Sequence, residues 1–205
     1  MQKMDLTAQP NGEVIRDAGF ARISSRRYVR VTAGDVLQRI ELRPNSRGGE
    51  LTCDLTIHPL WARDNVSLAV LEPGIWIGSL CRRTGIDAPR WYERSEEGYS
   101  QLCAAIRDAG IGWLEDTATA DGIVRSSESF PEPWRNAQFV HVELGHALLR
   151  AGRLQEAKEV FSRKPKRVPM FKTISRWIDS EATEEIASLH QRRIDNARSQ
   201  LQHDA

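Results

Sequence analysis

Two histidines and a glutamate lie close together in the segment FVHVELGH, which begins at Phe139. A zinc hydrolase of the H-E-x-x-H type needs its histidines four positions apart, so that both imidazoles lie on one helical face. Here His141 and His146 are five positions apart, so in a helix they point about 140° away from each other. A third histidine with ligand-like spacing is also missing. The sequence therefore predicts no metal and no cofactor.

Nucleophilic catalysis finds no better support. The chain has no G-x-S-x-G segment, and its three cysteines (Cys53, Cys81 and Cys103) form no C-x-x-C pair. An odd number of widely spaced cysteines is typical of buried, reduced thiols. Cys81 alone has electropositive neighbours, Arg82 and Arg83, which could lower the pKa of a thiol. We predict no catalytic residue.

One enzymatic alternative stays open. Asp54 and His58 share the polar face of a predicted strand, where arginines such as Arg30 or Arg43 could join them as an acid–base site. Residues four positions apart on a strand are separated by about 13 Å, too far for a direct hydrogen bond. The pattern therefore favours a solvated sheet face over an active site.

Length and composition favour a folded protein without an obvious charged partner. The chain has 205 residues, a net charge of +1 and 40% hydrophobic residues. So small a charge gives no reason to expect nucleic acid or an anionic membrane as a partner. No apolar run reaches the roughly 18 residues of a membrane helix, and the N-terminus lacks a signal-peptide pattern. We expect a cytoplasmic protein. The sequence defines no oligomeric state.

Alternating apolar and polar residues predict three antiparallel strands in the first third of the chain. The alternating segments are FARISSRRYVRVT from Phe20, DVLQRIELRP from Asp35 and LTCDLTIHP from Leu51. Turn-forming residues at Gly34-Asp35 and at 46–49 separate them. The pattern predicts a meander with one apolar face and one solvated face.

Helices are predicted around this meander. GEVIRDAG reads as a short helix that Gly19 ends, and SEEGYSQLCAAIRDAG as a helix capped by Ser95 that ends at Gly110. Between these two helices, VSLAVLEPG and IWIGSLCRR predict further strands, although the second segment could begin a helix. The segment IGWLEDTATADGIVRSSESFPEPW, which follows Gly110, is typical of a loop.

Everything after Pro131-Glu132-Pro133 shows helical periodicity. The predicted fold class is therefore α+β: an N-terminal antiparallel β-meander with flanking helices, followed by a C-terminal all-helical segment. We predict two parts, an α+β sheet domain over residues 1–130 and a helical region over 131–205 that packs on it.

Part of the helical region resembles one tetratricopeptide repeat. The residues that match the roughly 34-residue pattern are Leu144, Gly145, Leu148, Ala157, Phe161 and Pro169. His141 stands where that pattern usually has a tryptophan. The resemblance covers about residues 138–171 and implies two antiparallel helices in close contact. A single unit does not form a solenoid, but a peptide-binding adaptor that uses this hairpin is an alternative function.

Two segments of the N-terminal half resemble a bacterial family, domain of unknown function 4304. These are AGFARISSRRYVRV and the stretch from IGSLCRR to GIGWLED, which together cover about residues 12–118. The resemblance implies an α+β fold and a bacterial cytoplasmic protein without an assigned catalytic residue. Proteins of this build often stand beside toxin genes as immunity proteins.

The expected function is therefore non-enzymatic protein binding, most concretely that of an immunity or antitoxin-like protein that neutralises a toxin encoded nearby. Arginine and tryptophan are the residue types that anchor interfaces. Arg82, Arg83 and Tyr92 lie away from the clearest apolar stripes, so we predict that they contact the partner. Three tryptophans beside apolar segments are predicted to be core residues: Trp76, Trp91 and Trp113.

Overall fold

A computed structural model describes residues 6–9, 12–64, 74–129, 138–162 and 169–204. An antiparallel sheet of six strands occupies the N-terminal half, and helices occupy the C-terminal half. This arrangement confirms the predicted α+β class. VSLAVLEP, most of a predicted strand, and the Pro131-Glu132-Pro133 boundary lie outside the described residues.

The strands follow one another across the sheet in chain order. They are β1 (Ala21–Ser24), β2 (Arg27–Val31), β3 (Val36–Pro44), β4 (Glu50–Pro59), β5 (Ile75–Trp76) and β6 (Tyr92–Glu93). The order is β1-β2-β3-β4-β5, and β6 pairs with β4 beside β5. The single strand predicted from Phe20 is wrong, because Ser24 pairs with Arg27 and a tight turn divides that segment in two.

The helices, numbered along the described chain, begin before the sheet and continue after it. They are α1 (Glu13–Asp17), α2 (Ile77–Thr84), α3 (Glu96–Ala105), α4 (Ile111–Asp116), α5 (Ala120–Ser127), α6 (Gln138–Arg150), α7 (Leu154–Ser162), α8 (Pro169–Asp179) and α9 (Thr183–Asp204). Ser95 caps α3 as predicted, because its Oγ accepts a hydrogen bond from the Gly98 N–H at 3.1 Å. Within the described residues, no helix is both long and apolar enough to cross a membrane.

Gly110 does not end a helix, which corrects the sequence prediction. After α3 the backbone makes one π-helical turn, Ile106–Gly110, and continues directly into α4. A Cβ atom at Gly110 would lie 3.1 Å from Ile77 Cδ1 and 3.2 Å from Leu55 Cδ1. The glycine therefore allows the π turn to pack closely against α2 and β4, instead of acting as a C-cap.

The segment predicted to be a loop after Gly110 contains two helices, α4 and α5. Thr119 caps α5, because its Oγ1 accepts a hydrogen bond from the Gly122 N–H at 3.2 Å. Trp113 and Leu114 of α4 are buried. This segment is rich in small polar residues, which occur both at the caps of short helices and in loops. Its composition therefore predicted a loop.

Most of β3 and β4 is buried on both faces, so the solvated face predicted for these strands is wrong, whereas β1 is mostly exposed. On β4 the apolar residues Leu51, Cys53 and Leu55 are buried, but so are Thr52 and Asp54 on the opposite face. Strand alternation correctly divided the residues between the faces. It could not show that arginines of neighbouring strands would pair with the polar residues and allow their burial.

The chain divides into two compact units. The sheet unit comprises Met1–Thr32, Leu37–Ile57 and Leu71–Glu115, and the helical unit comprises Ala33–Val36, His58–Val70 and Asp116–Ala205. This division differs from the predicted one at residue 130. Two segments of the first half join the helical unit.

Hydrogen bonds explain why these segments belong together. Trp61 Nε1 donates to the Gly34 carbonyl at 3.2 Å, and the Leu60 N–H donates to the Asp35 carbonyl at 2.9 Å. The turn before β3 and the segment after β4 are thus bonded to each other inside the helical unit.

Within the helical unit, α6 and α7 form the predicted antiparallel hairpin. A Cβ atom at Gly145 would overlap the Phe161 ring, so only glycine permits this approach. Leu148 and Ala157 are buried. Gly152 has a φ of +73° and forms the turn between the helices.

Candidate functional site

An arginine lies on two tryptophans at the edge of the sheet unit. The Arg90 guanidinium carbon is 3.8 Å from the centroid of the Trp76 ring and 5.6 Å from that of the Trp91 ring. The two indoles are 6.5 Å apart and tilted by 49°. Both tryptophans are half-buried and Arg90 is exposed. We call this cluster the Trp76–Arg90–Trp91 surface.

Local chain geometry produces this surface. Trp76 ends β5 immediately before α2, so the strand fixes its ring on one face of the sheet. A Cβ atom at Gly78 would lie 2.7 Å from Arg90 Cα. The glycine in the first turn of α2 therefore lets the Arg90 backbone approach and brings the guanidinium onto the Trp76 ring. The sequence prediction of two core tryptophans is wrong here, because both remain half-exposed.

Arg90 keeps its hydrogen-bonding capacity. It makes no hydrogen bond and no ion pair within the described part of the chain, although a guanidinium carries five N–H donors. Stacking on an indole holds the cation through its face and leaves its edge available. This edge can donate to a carboxylate on a partner.

Two of the predicted contact residues lie on the neighbouring helix. Arg82 and Arg83 are exposed in the last turn of α2. Arg82 Nε donates to the Gly78 carbonyl at 3.3 Å, which turns this side chain back toward the start of the helix, where Arg90 packs. The positive charge of Arg82 therefore lies on the same side of α2 as the Trp76–Arg90–Trp91 surface.

The third predicted contact residue, Tyr92, belongs to the core. Its side chain is only 2% exposed, and burial raises the pKa of its hydroxyl well above the ordinary value. It pairs with Leu51 across β6 and β4, which places it on the apolar face of the sheet. A partner cannot reach it without unfolding this strand, so Tyr92 is not part of the surface.

The residues of the enzymatic alternative are divided between different structures. Arg43 Nη1 donates to Asp54 Oδ2 at 2.7 Å on the polar sheet face. Arg30 lies on the opposite face, where its Nε donates to Gln38 Oε1 at 2.7 Å. His58 belongs to the helical unit, in which its Nδ1 lies 3.8 Å from Glu143 Oε1.

Arginines neutralise the other carboxylate of the polar sheet face. Glu41 accepts from Arg27 Nε at 2.9 Å and lies 3.2 Å from Arg39 Nη1. Asp54 is buried, and its desolvation raises the pKa of the carboxyl although Arg43 opposes that effect. One oxygen of Asp54, Oδ1, has no hydrogen-bond partner among the described residues. These groups form a paired network suited to holding strands together.

A second buried network lies in the helical unit. Arg193 Nε is 2.9 Å from Asp64 Oδ1, and its Nη1 donates to the Ala62 carbonyl at 3.1 Å. The same Nη1 lies 2.9 Å from His146 Nε2, and His146 Nδ1 lies 3.0 Å from His190 Nε2. Four ionisable side chains are thus joined in one line, in the order Asp64, Arg193, His146 and His190.

The direction of each hydrogen bond in this line follows from Arg193. A guanidinium only donates, so His146 Nε2 must accept and the proton of His146 must be on Nδ1. That proton is donated to His190 Nε2, which places the proton of neutral His190 on its own Nδ1. Burial lowers the pKa of His146 well below its ordinary value. Burial, with Arg150 and Arg193, lowers the pKa of His190 to about 4.

These contacts answer the question raised by the histidine segment. His146 hydrogen-bonds to arginine and histidine inside the helical unit, while the His141 side chain lies outside the described residues. Glu143 lies 3.3 Å from Arg63 Nη2 and forms an ion pair with it. The described residues contain no group of three or more ligand-type side chains suited to a metal ion.

Sequence reasoning missed the partners of His146, because Asp64, His190 and Arg193 are far from it along the chain. A signal was nevertheless present. On α9, His190 and Arg193 fall on the same helical face as the apolar residues Ile186 and Leu189. Polar residues on a buried stripe indicate a buried polar network.

The thiols are structural in this arrangement. Cys53, Cys81 and Cys103 are buried and unpaired by disulfides. Desolvation raises the pKa of each thiol above its ordinary value. The neighbouring Arg82 and Arg83 therefore do not bring the pKa of the Cys81 thiol below its ordinary value.

No family model matches this chain, and no curated protein or solved structure matches it. The resemblances to a tetratricopeptide repeat and to domain of unknown function 4304 remain predictions that rest on the residues quoted for them.

Proposed function

We propose that this chain is a non-enzymatic protein-binding protein that masks a surface of its partner. The most concrete form of the proposal is an immunity or antitoxin-like protein, which neutralises a toxin encoded by a neighbouring gene. The observation that carries the proposal is the Trp76–Arg90–Trp91 surface, in which an exposed arginine without a hydrogen-bond partner among the described residues is stacked on two half-buried tryptophans.

The residue types and their packing support an interface. Tryptophan and arginine are the commonest residues at positions that dominate binding energy, and such positions need rigid side chains. The stack holds Arg90 in one orientation before the partner arrives. Less side-chain entropy is then lost on binding.

The charge of the surface defines the complementary partner. Arg90, Arg82 and Arg83 are exposed cations of the sheet unit, and the last two lie in the last turn of α2. A partner that presents a carboxylate between apolar groups would satisfy the arginine edge and cover the indoles. We therefore expect an acidic rather than a basic patch on the toxin.

Coexpression tests the proposal. The chain is produced with the product of each adjacent gene, and complexes are identified by size-exclusion chromatography with light scattering. We expect one 1:1 complex, together with restored growth in cells that express the toxin. Arg90→Ala should weaken this complex by about 30-fold.

The matched control is Arg107→Ala. Arg107 is also an exposed arginine of the sheet unit, but it forms an ion pair with Asp108. Its removal should leave the affinity unchanged. The proposal fails if no neighbouring gene product binds, or if both substitutions weaken the complex equally.

A further inference from the structure

A small cavity opens in the helical unit. Its volume is about 290 Å³, and it is formed by the end of α6, the start of α7 and the first half of α9. One part of its lining is apolar and includes Leu149, Leu154 and Ile186. The other part includes Arg150 and His190. The cavity therefore has an apolar body and a polar end, as ligand pockets do.

His190 presents an unused donor at the polar end. Its Nε2 accepts the hydrogen bond from His146, so its proton is on Nδ1. No described residue accepts a hydrogen bond from that Nδ1–H, although the side chain is only 3% exposed. Because His190 lines the cavity, this donor is available to a ligand or to water there.

The polar end also carries an excess of positive charge. Arg150 Nη2 lies 3.3 Å from Asp35 Oδ2, but Arg198 Nη2 lies 2.7 Å from Asp35 Oδ1. One carboxylate thus serves two guanidinium groups, which leaves one positive charge in excess within this group of three. None of the described residues that line the cavity is acidic. An anionic group fits this end better than a neutral or cationic one.

We propose that the cavity binds a small monocarboxylate with a short branched or aromatic apolar body. Its carboxylate accepts from His190 Nδ1–H and from Arg150, and its apolar body packs against Leu149, Leu154 and Ile186. Such a site is independent of the Trp76–Arg90–Trp91 surface, which belongs to the other unit.

The test uses the full chain and 4-methylpentanoate as the probe, with 4-methylpentanamide as its neutral isostere. Binding is followed by calorimetry and by NMR shifts of α9 amides. We expect the carboxylate to bind at least about 10-fold more tightly than the amide, because charge-assisted hydrogen bonds are stronger than neutral ones. Equal affinity for both, or no binding of either, would overturn the proposal.

Two variants test whether the carboxylate binds in this cavity. Ala187 is exposed at the cavity, so Ala187→Trp should block the cavity without disturbing the core and should abolish binding. Arg150→Gln removes the charge and should weaken binding about 10-fold. The matched control is Arg153→Gln, because Arg153 pairs with Glu156 and does not line the cavity. Unchanged affinity in both Ala187→Trp and Arg150→Gln would also contradict the proposal.

Discussion

Arg193 and Arg90 are both arginines, but their side chains have opposite roles. In the helical unit, Arg193 is 3% exposed and its nitrogens contact Asp64, His146 and the Ala62 carbonyl. In the sheet unit, Arg90 is exposed and its guanidinium carbon lies 3.8 Å from the centroid of the Trp76 ring, with its N–H groups unused by the described residues. The first arginine completes an interior network, and the second is prepared for an outside partner.

The contrast teaches that arginine content alone does not identify a binding surface. A buried guanidinium must have its donors satisfied by the fold itself, since unpaired buried donors are costly. An exposed guanidinium on an aromatic face needs no such partners, because water can satisfy its donors. What distinguishes a structural arginine from a recognition arginine is therefore the identity of its contacts.

Arg193→Ala should produce the largest effect. It removes the donors to His146, Asp64 and two backbone carbonyls, and leaves buried acceptors unsatisfied. We expect the free energy of unfolding to fall by about 3–5 kcal/mol, measured by urea denaturation. Arg198→Ala is the control and should cost less than about 1 kcal/mol, because Arg198 is exposed and Asp35 retains Arg150. Equal costs would remove the distinction between the two arginines.

Acid should weaken the same network through its histidines. The pKa of His190 falls from 6.5 to about 4 on folding, so between these pH values the unfolded state binds a proton that the folded state does not. The free energy of unfolding therefore decreases as pH falls from 6.5 to about 4, by about 3 kcal/mol for His190. Urea denaturation at several pH values measures this slope. His190→Phe should flatten it, and an unchanged slope would contradict the assignment.

Gly145→Ala should have an intermediate effect on the helical unit. The new methyl group would overlap the Phe161 ring, which itself packs edge-on against His146 at 5.4 Å between centroids. We expect a loss of about 1–3 kcal/mol in thermal or urea unfolding. Gly112→Ala is the control, because a Cβ atom there meets nothing within 4 Å. It should stabilise α4 by about 0.5–1 kcal/mol, and a similar loss in both variants would argue against close hairpin packing.

Arg90→Ala should have the smallest effect on stability. An exposed cation–π contact contributes about 0.5–1 kcal/mol, so the free energy of unfolding should change by less than about 1 kcal/mol. Tryptophan fluorescence should change nevertheless, because the cation leaves the Trp76 ring. A loss as large as that of Arg193→Ala would mean that Arg90 is a structural residue, and would weaken the proposed interface.

Sequence patterns predicted the fold where the signal was local. Alternation located β3 and β4, the Ser95 cap located the start of α3, and the Gly145–Phe161 spacing located the α6–α7 hairpin. The signal failed where tertiary contacts decide. Asp54 looks solvated in sequence but is buried, because Arg43 of the adjacent strand β3 pairs with it.

The candidate site was predictable only in its residue types. Arginine and tryptophan indicated an interface, and the predicted partner contact of Arg82 and Arg83 stays a prediction, with both side chains exposed on α2. The stack itself requires Gly78 to bring Arg90 from a later loop onto Trp76, a close approach that no periodicity encodes. Tyr92 was predicted to contact a partner but is buried, and the sequence did not show this because a two-residue strand is too short to show alternation.

The π turn at Ile106–Gly110 has a consequence for how this chain can vary. Ile111 N–H bonds to the Ile106 carbonyl, five positions earlier, so the turn contains one residue more than an α-helical turn. Loss of one residue from this wide turn would restore ordinary α-helical winding and leave the helical faces after it unchanged, because the turn itself accommodates the extra residue. Trp113 and Leu114 would keep their places in the interior. Relatives of this chain should therefore tolerate both the replacement of exposed Arg107 and the loss of one residue from the turn.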